Sequence, residues 1–329
     1  MKLKLPLIFL MICLAIGKIN AQNINEFKPS GKPEVLIFTN FNSSFSNSQN
    51  VSKFEVTRAY FGYGYNFSPS LSGRLTIDVG NPGVGKFQMT AFLKYGYLQY
   101  QKEKLTVRLG MIPTTGFDVQ EKFWGYRYII KSYQDQYGIG PSADLGLSGT
   151  YKFSNVVSAD FIIQNGEGFK LLDADSVLKI GVGLTVQPVK NLMFRGYYDS
   201  MKKADATQQT TALMAGYSNK AFKLGVEYNY QTDNNLKIGQ DFFGYSVYST
   251  YFINTKTNIF GRYDYLNSVN NSTQAHSWNY SKDGQLFIAG FEYIPVKGIK
   301  ISPNYQAWNP RDVSKSFIST LFLNVEIRL

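Results

Sequence analysis

The chain has 329 residues, and 34 lysines and arginines against 23 aspartates and glutamates give it a formal net charge of +11. A single cysteine and a single histidine argue against a disulfide framework, a metal site or a bound cofactor. The basic residues are scattered singly rather than clustered, which argues against a nucleic-acid-binding protein.

The first 21 residues have the composition of a secretory signal peptide. Lys2 and Lys4 precede an apolar stretch from Leu5 to Gly17, and Ala21 is the predicted cleavage position. The only cysteine, Cys13, falls in this segment. The apolar stretch is too short to cross a bilayer, and no later stretch reaches the roughly 18 apolar residues of a membrane helix. We therefore predict an exported chain with a periplasmic N-terminal segment at residues 22–33.

From residue 34 to residue 329, apolar and polar side chains alternate in short runs. In Leu105–Met111, four apolar residues alternate with Thr106, Arg108 and Gly110. Successive side chains of a strand point to opposite faces, so each run has one apolar and one polar face. Sixteen strands are predicted: Glu34–Phe45, Phe54–Phe67, Ser72–Gly80, Met89–Gln101, Leu105–Ile112, Asp144–Phe153, Val156–Gln164, Val177–Gln187, Leu192–Ser200, Thr210–Ser218, Phe222–Tyr230, Phe242–Phe252, Thr257–Leu266, Gln285–Ile294, Ile299–Gln306 and Phe317–Leu329.

Tight and long connections alternate between these strands. The long set is rich in Asn, Ser, Gln and Gly, and includes Pro113–Ala143, Asn165–Ser176 and Met201–Gln209. Short periplasmic turns and longer outer loops are typical of transmembrane β-barrels, and an even strand count returns both termini to one side.

A soluble all-β protein is the alternative, and it would have to pack its apolar faces on a second sheet. Aromatic residues expected on the outward faces near strand ends favour the membrane barrel; they are Tyr63, Tyr65, Phe67, Tyr95 and Tyr97. The predicted fold class is therefore all-β: a transmembrane antiparallel β-barrel of about 16 strands spanning residues 34–329.

Four short segments, in order, resemble the Gram-negative outer-membrane porins related to the phosphate-selective porin family. They are Arg58–Tyr63, Leu105–Pro113, Asn165–Phe169 and Phe291–Pro295, and the resemblance covers about residues 53–329. The family implies a 16-stranded barrel, usually trimeric, whose long third outer loop folds into the lumen. Phosphate selectivity in that family depends on dense arginine and lysine around the constriction, whereas here the basic residues are dispersed.

The third outer loop of this chain is Pro113–Ala143, the longest connection. Its predicted constriction residues are Asp118, Glu121, Lys122, Trp124, Arg127 and Lys131. Two roles stay open for its aromatic residues: they stack on sugars or other flat solutes, or they only hold the loop to the inner wall.

Charged side chains on the polar faces of the strands are expected to line a wet lumen. The predicted pore-lining set is Arg58, Arg74, Asp78, Lys94, Arg108, Lys179, Arg195, Asp199, Lys223, Glu227, Arg262 and Asp264. Basic residues outnumber acidic ones on these faces, and a cavity with excess positive charge attracts anions. Either the channel has a mild anion preference, or these charges only hydrate the wall.

Two apparent motifs lack the chemistry that they suggest. The segment Gly80–Phe87 has Phe87 where a phosphate-binding loop needs Ser or Thr. The single histidine, His276, has no carboxylate nearby in the sequence to orient it for catalysis. We expect no enzymatic activity.

The sequence predicts a passive porin in the outer membrane of a Gram-negative bacterium. Its partners would be outer-membrane lipid, small hydrophilic solutes or anions such as phosphate, and further copies of itself in a homotrimer. A barrel that acts as an adhesin or surface receptor through its outer loops is the alternative.

Overall fold

Sixteen strands close into one antiparallel barrel in a computed structural model, which describes residues 27–47, 50–80, 89–173, 175–270 and 275–329. Each strand pairs with its neighbours in sequence, and the first strand pairs with the last. The predicted fold class is confirmed. The signal peptide and all of the Gly80–Phe87 segment except Gly80 lie outside the described residues. Among the described residues, no helix is both long and apolar enough to cross a membrane.

The strands run between seven tight turns at one end and eight connections at the other. In chain order they are β1 Ser30–Phe45, β2 Asn50–Asn66, β3 Leu71–Gly80, β4 Thr90–Lys102, β5 Leu105–Pro113, β6 Ala143–Lys152, β7 Val157–Gln164, β8 Lys179–Val189, β9 Leu192–Lys203, β10 Ala206–Ser218, β11 Phe222–Thr232, β12 Phe242–Asn254, β13 Thr257–Ser268, β14 Gly284–Tyr293, β15 Ile299–Pro310 and β16 Ile318–Arg328. Two short helices, α1 (Asp118–Trp124) and α2 (Tyr133–Gln136), lie between β5 and β6, and a 3-10 turn (Asn234–Leu236) follows β11.

The barrel wall is apolar outside and polar inside, the reverse of a water-soluble domain. In β16, Leu321 and Leu323 are 54% and 44% exposed, whereas Asn324 and Glu326 are buried. Outward aromatic rings contact one another near the turn end, as in Tyr63 with Tyr65, and similar contacts occur near the other end. An apolar outer band flanked by aromatic residues is what a lipid environment requires of a barrel.

The predicted loop Met201–Gln209 is wrong, because β9 and β10 continue through it to a two-residue hairpin. Ala206 pairs with Lys203 across the turn, and Ala204 adopts a left-handed conformation with φ = 49°. This stretch lacks the apolar alternation of the other strands. A ladder that continues past the apolar band does not need an apolar face, so periodicity could not detect it.

Tyr95 and Tyr97, predicted to point outward, instead face the interior. Thr76 pairs with Tyr95 and Ile77 pairs with Leu93, so Lys94 is an extra residue in β4. A β-bulge of this kind reverses the inside–outside alternation of the residues that follow it. The other boundaries differ by a few residues; for example, β1 begins at Ser30 rather than Glu34.

Candidate functional site

The connection between β5 and β6, residues 114–142, is here called the inner segment because its contacts are with the buried face of the wall. α1 has acidic residues in its first turn and ends at Trp124. The next residue, Gly125, has a φ of 78° that lets the chain reverse, and its N–H donates to the Glu121 carbonyl at 3.0 Å. Its wall partners come from strands on both sides of the β1–β16 seam. In a closed barrel, a segment with such partners lies within the ring of strands.

Aromatic residues fasten the inner segment to the wall. Trp124 is fully buried, with its ring centroid 5.2 Å from that of Tyr248, and Tyr126 stacks on Phe260 at 4.5 Å. Tyr128 packs in the same cluster. Of the two roles left open for the loop aromatics, these contacts support attachment to the wall, because their rings do not face open space.

Wall side chains also hold the backbone of the inner segment. Lys223 Nζ donates to the Trp124 carbonyl at 2.7 Å, and Arg262 Nη1 donates to the Lys131 carbonyl at 2.7 Å. Arg262 is itself paired with Asp264 at 2.7 Å, and both side chains are almost completely buried.

Several predicted pore-lining residues therefore face inward but are enclosed between the wall and the inner segment. Arg195 pairs with Asp160 at 2.7 Å and donates to the Thr115 carbonyl, and Glu227 accepts a hydrogen bond from Tyr248 at 2.8 Å. Lys179 and Asp199 border only a void of about 20 Å³. These residues, together with Lys223, Arg262 and Asp264, do not border the cavities of about 620 Å³ and 230 Å³ that lie on the other side of the interior, because the inner segment covers them.

The other predicted lining residues lie on β2–β5, within the part of the wall that the inner segment leaves open, which is here called the open half. A cavity of about 620 Å³ there is bordered by Arg74, Lys94 and Arg108. Arg74 pairs with Glu34 at 2.7 Å, and Arg108 donates to Gln99 at 2.8 Å. This cavity lies toward the tight turns and the termini.

A second cavity of about 230 Å³ lies toward the long connections. It is bordered by Arg58 of the wall, by Lys131 and Asp135 of the inner segment, and by Phe169 of the β7–β8 connection. Arg58 pairs with the fully buried Asp78 at 3.0 Å. The two cavities therefore lie on either side of the inner segment, along the same half of the wall.

The predicted constriction residues other than Trp124 border these cavities, and each forms an ion pair within the inner segment. Asp118 pairs with Lys122 at 2.6 Å, whereas Arg127 contacts both Glu121 at 3.3 Å and Asp135 at 3.2 Å. Lys131 also pairs with Asp135, at 3.0 Å.

Two carboxyl groups of the inner segment have pKa values shifted in opposite directions. Burial raises the pKa of Glu121, and Arg127 only partly opposes this. Burial also acts to raise the pKa of Asp135, but Arg127 and Lys131 outweigh it, so the pKa of Asp135 is lowered.

Some lumen residues escaped the sequence prediction because they are uncharged or lie beyond an irregularity. Tyr60, Tyr95 and Tyr97 border the larger cavity, and Asn324 donates to the Tyr128 carbonyl at 3.3 Å. The prediction selected charged residues at alternate positions. Such a pattern reveals neither a β-bulge nor an uncharged amide side chain that binds the inner segment.

Two other groups contain side chains of the types used in catalysis or metal binding. His276 is exposed and stacks on Tyr280 with a centroid separation of 4.2 Å. Glu167, Asp173 and Asp175 lie close enough to approach one ion, but such carboxylate groups are common without a metal, and Asp175 is already paired with Lys203 at 2.7 Å.

Solved structures share this fold, although no protein-family profile and no curated protein matches the chain. The outer-membrane channel DcaP of Acinetobacter baumannii is 14% identical, with a TM-score of 0.69 over 92% of this chain and 97% of DcaP. OprB of Pseudomonas putida is 11% identical, with a TM-score of 0.70 over 91% of this chain and 94% of OprB. Salmonella typhi OmpF is 13% identical, with a TM-score of 0.67 over 90% of this chain and 97% of OmpF. At these identities the similarity establishes the fold, that of outer-membrane channel barrels.

Proposed function

We propose that the chain is a porin, a passive diffusion channel for small hydrophilic solutes in the outer membrane of a Gram-negative bacterium. The observation that carries this proposal is the pair of cavities, both bordered by charged side chains, along the open half of a barrel whose outer face is apolar. The fold shared with DcaP, which is described as an outer-membrane channel, supports it. Selection would depend on width and wall charge rather than on chemistry.

A mild preference for anions is part of the proposal. Basic residues outnumber acidic ones eight to four around the larger cavity and four to two around the smaller one. Excess positive charge in a low-dielectric cavity concentrates anions, and salt weakens the effect. Phosphate is one candidate anion, on the resemblance to the phosphate-selective family.

The membrane partner would be lipid around the apolar band, and the assembly a homotrimer. One structure of this fold, OmpT of Vibrio cholerae, is described in a trimer form, with 13% identity and a TM-score of 0.57. Cross-linking of the detergent-solubilised protein would show whether three copies associate.

Reconstitution into planar lipid bilayers tests the channel directly. We expect discrete conductance steps, and a reversal potential in a KCl gradient that indicates greater permeability to chloride than to potassium. Adding phosphate in place of chloride measures relative anion permeability. A folded barrel that never conducts would instead favour the adhesin or receptor alternative, and a reversal potential of cation-selective sign would reject the anion preference.

Replacement of the inner segment tests whether it limits passage. Because Pro113 and Ala143 are ladder partners, a short Gly–Ser hairpin can replace residues 116–140 without separating β5 from β6. We expect higher unitary conductance than in the native chain. Shortening the β11–β12 connection at residues 234–240 is the matched control, since that connection borders neither cavity. Equal conductance in a folded replacement variant would mean that the constriction lies elsewhere.

A further inference from the structure

One side chain borders both of these interior cavities. Glu34 and Arg328 border the larger one, Glu167 and Phe169 border the smaller one, and among the described residues only Arg127 borders both. We propose that the Arg127 guanidinium blocks the path between the cavities, and that it thereby sets the conductance and charge selectivity of the channel. This inference rests on the proposed function and assigns its limiting step to one side chain.

The backbone around Arg127 is fixed so that this side chain points away from the covered half of the wall. Lys223 holds the carbonyl of Trp124, and Asn324 holds that of Tyr128. The flanking side chains, Tyr126 and Tyr128, are buried in the wall cluster. Arg127 lies between them in a turn, in which the Ile129 N–H donates to the Tyr126 carbonyl at 2.9 Å, and it borders the cavities of the open half.

Two carboxylates of the inner segment hold the guanidinium in place. Nε of Arg127 lies 3.3 Å from Glu121, and Nη2 lies 3.2 Å from Asp135. The planar guanidinium can engage two acceptors at once, which the compact ammonium of lysine does less well. Among the described residues, the two carboxylate oxygens in these contacts have no hydrogen-bond partner. Loss of Arg127 would leave Glu121 without this cation, whereas Asp135 would keep its pair with Lys131.

The opposite side of the passage is formed by β2–β4. Arg58 borders the smaller cavity, whereas Tyr60 and Lys94 border the larger one. Arg58 is balanced by Asp78, and Arg127 is the cation placed between Glu121 and Asp135. Removing Arg127 would therefore widen the passage and make its inner-segment side more negative by one unit of charge.

The test compares Arg127→Ala, Arg127→Lys and the native chain in planar bilayers, with Lys220→Ala as control. Lys220 is an exposed cation in a tight turn that borders neither cavity. We expect Arg127→Ala to raise unitary conductance and to shift the reversal potential toward cation permeability. Arg127→Lys should keep the native charge selectivity but raise conductance by a smaller amount. Lys220→Ala should match the native chain.

The outcomes distinguish a failure of the proposed block by Arg127 from a failure of the proposed channel function. If the native chain conducts and Arg127→Ala has the same or a lower conductance, the proposed block by Arg127 is wrong and the channel function stands. If neither the native chain nor any variant conducts, including the hairpin replacement of residues 116–140, the proposed function is wrong. If the native chain does not conduct and Arg127→Ala does, the proposed block by Arg127 is supported. If Arg127→Ala does not fold, as judged by circular dichroism, Arg127→Gln is decided by the same criteria.

Discussion

The two halves of the barrel interior use the same kinds of residue for opposite purposes. On the covered half, Arg262 has a side chain only 1% exposed, paired with Asp264 and bonded to the inner segment. On the open half, Arg74 is 37% exposed and pairs with Glu34 at the edge of a cavity. Both arginines lie on the polar face of a strand.

The difference arises from the inner segment and not from the strands. Where its aromatic residues pack, wall charges must find partners because an isolated buried charge is costly. Where it leaves the wall free, water can solvate them. A charge on the polar face of a barrel strand therefore becomes a structural anchor or a solute contact according to what covers it.

The largest expected effect contrasts these two arginines. Arg262→Ala leaves Asp264 buried without its partner, and breaking one side of such a pair costs about 3–5 kcal/mol. Arg74→Ala removes an exposed pair and should cost at most about 1 kcal/mol. Urea unfolding of the detergent-solubilised barrel, followed by tryptophan fluorescence, measures both free energies. Equal costs would show that the two halves do not differ as described.

A smaller effect is expected at the turn that reverses the inner segment. Gly125 has φ = 78°, and an added Cβ would lie 3.3 Å from Lys223 Nζ. A left-handed conformation costs an L-residue roughly 1–2 kcal/mol, so Gly125→Ala should lower stability by about that amount. Gly140→Ala is the control, because an added Cβ there meets nothing within 4 Å. Similar unfolding midpoints for the two variants would contradict the role of the turn.

The smallest expected effect is a change of selectivity with pH on the open half. Because the pKa of Glu121 is raised and that of Asp135 is lowered, Glu121 loses its charge first as the solution is acidified. The passage then gains one unit of positive charge, and the reversal potential should shift toward anion permeability. Glu121→Gln should show the shifted value already at neutral pH and remain nearly constant on acidification. A native-like pH response in that variant would assign the titration to another group.

Much of the fold was predictable because a barrel wall with an apolar outer face and a polar inner face imposes a two-residue period on its strands. The run Leu105–Met111 lies in β5, and the predicted strand count and the closure of β1 on β16 are confirmed. Prediction failed where that period was absent or interrupted. The hairpin at Ala204 continues past the apolar band, and the extra residue Lys94 reversed the expected direction of Tyr95 and Tyr97.

The candidate site was predictable only as a face, not as a set of contacts. The predicted pore-lining residues do face inward, but whether each borders open space depends on where a 29-residue segment packs. That packing is decided by distant aromatic contacts such as Trp124 with Tyr248. Short-range periodicity contains no information about contacts between residues so far apart in sequence.

The pairing of β1 with β16 also has a consequence for biogenesis. Leu36 meets Arg328 and Phe45 meets Ser319, so the ring can close only after nearly the whole polypeptide is present. Until then both seam strands expose unpaired amides beside apolar surfaces, a combination that promotes aggregation in an aqueous compartment. If the chain is inserted into a membrane as proposed, its unclosed form would thus need a chaperone that covers those two edges until the last strand pairs with the first.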